Sequence, residues 1–131
     1  MLGHYRLFCM HDRQQFGRWG ERVAIRYLRR KGFVILDRNV YTPYGELDVV
    51  ALDGRELVFV EVKARRTQNF GLPEESVTAR KLEHLWNALL CYCEECRWTG
   101  MFRLDVISIV RRGTTPTIRH LRNVIPDVEG S

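Results

Sequence analysis

Between residues 33 and 65, three stretches rich in β-branched and aromatic residues (33–41, 46–52 and 56–65) follow one another with only tight-turn signals between them. The separators, Thr42-Pro43-Tyr44-Gly45 and Asp53-Gly54, are residues that reverse a chain. So short a spacing leaves no room for crossover helices and predicts an antiparallel meander. Helical patterns bracket it. Phe16, Trp19, Val23, Tyr27 and Leu28 share one face of a predicted helix over 12–31, and Gly32 stops the pattern. Leu82, Leu85, Trp86, Leu89, Leu90 and Cys93 recur at the spacing of a second amphipathic helix over 77–95. A strand over 102–110 and a shorter one over 117–121, bounded by Pro116, complete an αβββαβ order with a final β. The expected fold is α/β, a mixed sheet flanked by helices.

A chain of 131 residues supports one hydrophobic core, and nothing in it resembles a linker or a repeat. It reads as a single domain over 1–131, with 1–11 and 126–131 as loosely ordered termini. No apolar run approaches the roughly 18 residues of a membrane span, and the opening residues lack the succession of an export signal. The reading is therefore a cytoplasmic protein with no membrane partner. Its four cysteines, Cys9, Cys91, Cys93 and Cys96, suit a reducing compartment. A zinc site from Cys91, Cys93, Cys96 and His84 is disfavoured, because a CxCxxC run on one helix points its thiols in different directions.

The net charge of +5 sits on one segment: eight basic residues against three acids between Asp12 and Arg38, the remainder summing to zero. Arg18, Arg22, Arg26 and Arg30 fall at successive i, i+4 positions of the first helix and form a stripe. Such a field suits a polyanion, and arginine forks suit phosphate. The ordinary alternative is a solvated helix face.

Strand geometry locates the chemistry. Glu61 and Lys63 share one face of the third run, whereas Val60 and Val62 face the other way. Glu46 and Asp48 bear the same relation on the run before. Closure through Gly54-Arg55, a type II′ turn, sets Asp48 opposite Glu61; closure through Asp53-Gly54, a type I′ turn, sets Glu46 there instead. Either register is expected to gather Glu46, Asp48 and Glu61 on one face. Opposed carboxylates repel, so either one stays protonated or a divalent cation lies between them. Oxygen-only ligands describe Mg²⁺ or Mn²⁺ better than zinc. A lysine beside such a centre orients water or offsets transition-state charge, which is the chemistry of phosphodiester hydrolysis. An ExK triplet alone is a common surface pattern; the acid on the neighbouring strand raises its value. Arg65, Arg66, Gln68 and Asn69, beyond the third run, are candidate phosphate or base contacts. Arg103 and Asp105 share a strand face and read as a structural ion pair.

Gly20-Glu21-Arg22, Gly45-Glu46-Leu47-Asp48, Val60-Glu61-Val62-Lys63, Phe70-Gly71-Leu72-Pro73-Glu74 and Arg103-Leu104-Asp105-Val106-Ile107, in this order, resemble the YraN family of bacterial proteins over residues 17–125. That family is placed in the restriction-endonuclease-like superfamily of PD-(D/E)xK nucleases, near the archaeal Holliday-junction resolvases. The resemblance implies an αβββαβ core, metal binding at Asp48 and Glu61, a catalytic Lys63 and an auxiliary acid, Glu21, from the first helix. Leu47 stands where the superfamily label has proline, and Lys81 matches a lysine of the family pattern. The combined expectation is a nuclease with catalytic Asp48, Glu61, Lys63 and Glu21, and Mg²⁺ or Mn²⁺ held by Asp48, Glu61, Glu21 and Glu46. Nucleic acid, DNA in preference to RNA and with branched or junction DNA among the candidates, would be held by Arg18, Arg22, Arg26, Arg65, Arg66 and Lys81. A homodimer is the expected option where two strands are cut. The alternative is a nucleic-acid-binding protein that keeps the fold without turnover.

Overall fold

The computed structural model describes residues 2–66 and 78–126, with residues 2–14 described by their backbone alone. The expected loop at 66–75, with Gln68 and Asn69, therefore lies almost wholly outside the described residues, as does 127–131. The elements are α1 (Leu2–Arg30), β1 (Val34–Thr42), β2 (Gly45–Asp53), β3 (Glu56–Arg65), α2 (Ala79–Glu95), β4 (Phe102–Arg112) and β5 (Thr115–Leu121). The five strands form one sheet in the order β1-β2-β3-β4-β5. The meander β1 to β3 is antiparallel, β3 and β4 run parallel, and β4 and β5 are antiparallel. A parallel pair needs a long crossover, and α2 is that crossover.

The central strands are buried on both faces, which explains the near-continuous apolar run of β3. On one face Ala24, Ile25 and Leu28 of α1 pack with Val49, Ala51, Val58, Val60, Ile107 and Ile109. On the other, Leu82, Leu85, Ala88, Leu89 and Cys93 of α2 pack with Val50, Leu57, Phe59 and Leu104. Cys93 thus belongs to the core, while Cys96 is the exposed C-cap of α2. No described helix is long and apolar enough to cross a membrane.

Three expectations about element ends need correction. The first helix begins at Leu2, ten residues before Asp12. No proline or β-branched residue precedes Val23 in that stretch, so nothing there interrupts a helix. The second helix starts at Ala79, with Thr78 Oγ1 accepting from the Lys81 N–H at 3.1 Å as its N-cap. Pro116 lies inside β5 instead of bounding it; β5 is an edge strand, where a missing N–H is tolerated.

α1 approaches the sheet at Gly20, where an added Cβ would stand 2.7 Å from the Ala64 Cβ. Gly17, one turn earlier on the helix, has open space around it. Gly20→Ala gains up to about 1 kcal/mol of helix propensity, whereas overpacking costs about 1–3 kcal/mol. The expected net result is a melting temperature lowered by a few degrees, on the order of 3 °C in a thermal scan.

Candidate active site

The β2–β3 hairpin closes through Gly54-Arg55: Asp53 pairs with Glu56, and the register holds to Val49 opposite Val60. Gly54 has φ +63°, and Arg55 is not among the positive-φ residues, as a type II′ turn requires. Continuing the count sets Asp48 against Glu61. There the backbone ladder gives way to a side chain, because the Val62 N–H donates to Asp48 Oδ2 at 2.9 Å. The two-residue alternation also breaks at this point. Leu47 packs with Val50 on the α2 side, whereas Val49 faces α1. Across the β1–β2 pair the residue facing Asp48, Asn39, has φ +53°, a conformation asparagine tolerates better than most side chains.

Glu46, Asp48 and Glu61 do gather, since all three line one concavity, but they do not project from a single regular strand face. Asp48 lies at the opening between β2 and β3, and the other acids fall on either side of it. Toward α1, one carboxylate oxygen each from Glu21, Glu46 and Asp48 lie within 4.8 Å of one another. With its amide nitrogen turned toward them, Asn39 donates to Glu21 Oε1 at 2.7 Å and to Glu46 Oε1 at 3.0 Å. Toward α2, Glu61 is only 6% exposed and pairs with Lys81 Nζ at 3.2 Å and Lys63 Nζ at 3.5 Å. Two adjoining concavities share Glu46 and Asp48 as their common wall. One is lined also by Arg18, Glu21, Asn39 and Tyr41, the other by Tyr44, Glu61, Lys81 and His84.

The electrostatics follow from this crowding. Burial, then the neighbouring Glu61, pushes the Asp48 carboxyl up to about 8, against the help of the Val62 N–H. Burial and Glu46 also raise Glu21, although Arg38, Asn39 and Arg18 oppose them. Burial and the adjacent Lys81 hold the Lys63 ammonium below its usual value, partly offset by Glu61. Burial works against Lys81 as well, but its bond to Lys63 and the charges of Glu61 and Asp48 prevail and raise it. The pair thus divides into one lysine that sheds its proton more readily and one that keeps it.

The remaining expected residues separate. Arg18 stands beside the acids, whereas Arg22 and Arg26 line a different concavity with Arg29, Arg30 and Arg38. Arg65 ends β3, and the Arg66 guanidinium lies 4.6 Å over the Phe16 ring. Four residues lining the site, Asn39, Tyr41, Tyr44 and His84, were not singled out for it from sequence. Asn39 left only the hint that asparagine is scarce in strands. His84 follows Lys81 by three on α2 and so shares its face.

A second polar cluster lies on the α1 side of β4. The wholly buried Asp105 accepts from Arg103 Nε at 2.9 Å and from the Asn123 N–H at 3.0 Å, and lies 2.8 Å from His120 Nε2. Arg103 also donates to Glu56 at 2.7 Å and Asp53 at 3.0 Å, tying β4 to the β2–β3 turn. The expected ion pair is present as the centre of a larger network.

In fold, then, this is a restriction-endonuclease-like α/β domain: the αβββαβ core with an added fifth strand. The model of the uncharacterised protein family UPF0102 matches residues 20–109. A UPF0102 protein of Syntrophotalea carbinolica is 46% identical over 121 residues, covering 92% of this chain and 98% of its own length. One from Syntrophomonas wolfei is 44% identical over 111 residues, 84% of this chain and 96% of its own. One from Beutenbergia cavernae is 42% identical over 117 residues, 88% and 99% respectively. The chain belongs to the UPF0102 family, which is the YraN family that its motifs resemble.

Proposed function

We propose that this protein hydrolyses phosphodiester bonds in DNA or structured nucleic acid, with Mg²⁺ or Mn²⁺ held at Asp48 and Glu61 and supported by Glu21 and Glu46. One observation carries the reading. A half-buried carboxyl, Asp48, is wedged between acidic neighbours on both sides, with two lysines reaching Glu61 beside it. Nothing about stability favours such crowding, whereas an oxygen-only donor set suits a hard divalent cation. When bound, that cation supplies Lewis acidity toward a phosphoryl oxygen and toward water.

The chain's own groups have distinct parts. Asp48 and Glu61 anchor the centre from adjacent strands, and Glu21 brings a ligand from α1, held against Glu46 by Asn39. Lys63, paired with Glu61 at 3.5 Å, would orient the attacking water and offset charge that develops in the transition state. Lys81 stays cationic and offsets charge on the phosphoryl oxygens. Arg18 sits at the mouth on the α1 side, where it can hold a flanking phosphate.

The test is incubation of the purified protein with branched, flapped and single-stranded DNA and with RNA, plus Mg²⁺ or Mn²⁺, beside Asp48→Ala and Lys63→Ala. Wild-type cleavage should drop on the order of 10³-fold in each variant. Cleavage that survives in both sinks the assignment. Binding without cleavage on every substrate would favour a nucleic-acid-binding protein that retains the fold without turnover.

A further inference from the structure

The β1–β2 hairpin carries two tyrosines that the fold does not use. Tyr41 is 79% exposed and Tyr44 52%. Among the described residues, neither ring meets another aromatic ring or a cation. Their backbone is nevertheless held: Thr42 Oγ1 donates to the Gly45 carbonyl at 2.7 Å and accepts from the Tyr44 N–H at 3.1 Å. Their placement is specific. Tyr41 is the cross-strand partner of Glu46 and lines the concavity containing Glu21 and Asp48. Tyr44 lines the adjoining one, with Glu61 and Lys81. Single exposed apolar residues are ordinary; two aromatic rings on a braced turn, one at each mouth of an acidic groove, are not.

A basic trough leads away from the same groove. Beyond Arg18, the guanidiniums of Arg22, Arg26, Arg29, Arg30 and Arg38 frame a concavity of about 510 Å³ with Ile25 in its wall. None of these five forms a salt bridge among the described residues. From Arg18 to Arg30 the helix rises about 18 Å at 1.5 Å per residue, room for several successive phosphates. Five like charges in one hollow repel one another unless a polyanion enters.

The two features together select a substrate. Arginine forks take phosphate whatever the base. Aromatic faces take bases that have left their stack, whereas duplex bases already stack on one another and offer only edges in the grooves. We propose that the preferred substrate is nucleic acid with unpaired nucleotides at the groove, Tyr41 and Tyr44 stacking on bases to either side of the scissile phosphate while one flanking arm lies along the arginine trough. The word scissile rests on the hydrolytic reading above; the binding mode does not.

The test uses the full-length Lys63→Ala protein, so that binding is read without turnover, and fluorescence anisotropy with a single strand, a blunt duplex and a flapped duplex, each as DNA and as RNA. Tighter binding to the unpaired and flapped forms than to the duplex, in either sugar series, is the expected result. Adding Tyr41→Ala and Tyr44→Ala should weaken those forms on the order of 10- to 100-fold and leave the duplex and the salt dependence unchanged. Tyr41→Phe with Tyr44→Phe should restore binding, because stacking needs the ring and not the hydroxyl. Arg29→Gln, Arg30→Gln and Arg38→Gln together should instead flatten the salt dependence for every form. Equal binding of duplex and single strand, or alanine variants that bind unpaired strands like the parent, overturns the proposal. If the otherwise unaltered protein cleaves and the tyrosine changes leave cleavage and binding untouched, the hydrolytic reading stands and this one falls. Loss of unpaired-strand binding in the alanine variants, with no cleavage of any substrate by wild type, supports this one and sinks the other.

Discussion

Asp48→Asn should make the metal-free protein more stable at neutral pH while removing the metal-dependent cleavage proposed above. The carboxyl titrates near 8 in the folded chain, chiefly because it is buried and secondly because Glu61 adjoins it. An unfolded aspartate titrates near 3.9. The folded state therefore binds more protons than the unfolded state between these values, and stability falls as pH rises through that window. Below about pH 4 the wild type bears no penalty, and above about 8 it bears all of it. Asparagine keeps an oxygen to accept from the Val62 N–H but never ionises. Melting curves in EDTA should thus coincide near pH 4 and diverge toward pH 8. The variant should lead by about 2–5 kcal/mol there, the upper end being the full shift at about 1.4 kcal/mol per unit, or several degrees. Coincident curves at every pH would mean that Asp48 is not under the strain described.

Asp105→Ala should have the opposite character, a large loss of stability with the acidic groove left in place. Burial alone would raise this carboxyl, but bonds from His120, Arg103 and the Asn123 N–H outweigh it and hold it below the ordinary aspartate range. A depressed acid contributes stability above its unfolded pKa and loses it as pH falls through the folded value. Wild type should therefore lose this contribution only below about pH 4. Removing the carboxylate takes from Arg103 and His120 the buried partner they share, and breaking a buried pair in this way costs about 3–5 kcal/mol. Denaturant melts near pH 7 would show it as a lower midpoint with an unchanged slope. A shift below about 1 kcal/mol would match an exposed ion pair and contradict the burial of this network.

The parts of this fold that depend on short spacings were readable from the chain. A two-residue loop at Gly54 narrows the β2–β3 register to two choices, and the structure takes the Gly54-Arg55 closure, which sets Asp48 against Glu61. The face of α2 is largely legible, because Leu82, Leu85, Leu89 and Cys93 recur at helical spacing and prove buried, whereas Leu90, counted with them, is 47% exposed. What escaped is what depends on three-dimensional closure. The side-chain acceptance at Asp48 that breaks its strand's alternation follows from β2 and β3 separating there, which alternation alone cannot foresee. Asn39 reaches Glu21 only once α1 has packed across the meander. His120 joins Tyr27, 93 positions away, through a 3.1 Å contact that no local pattern encodes. Glu21 lay between the two cases, named through family resemblance and placed at the acids by the close approach at Gly20.

The most direct measurement is a calorimetric titration of wild type and Asp48→Asn with Mn²⁺ near pH 7, repeated in buffers of different ionisation enthalpy. A cation that draws on Asp48 must displace its proton, so wild type should bind Mn²⁺ and release roughly one proton per ion. Asp48→Asn should bind at least about tenfold more weakly and release none. Equal Mn²⁺ affinity in wild type, Asp48→Asn and Glu61→Gln, with no proton released, would contradict a metal centre at the β2–β3 opening.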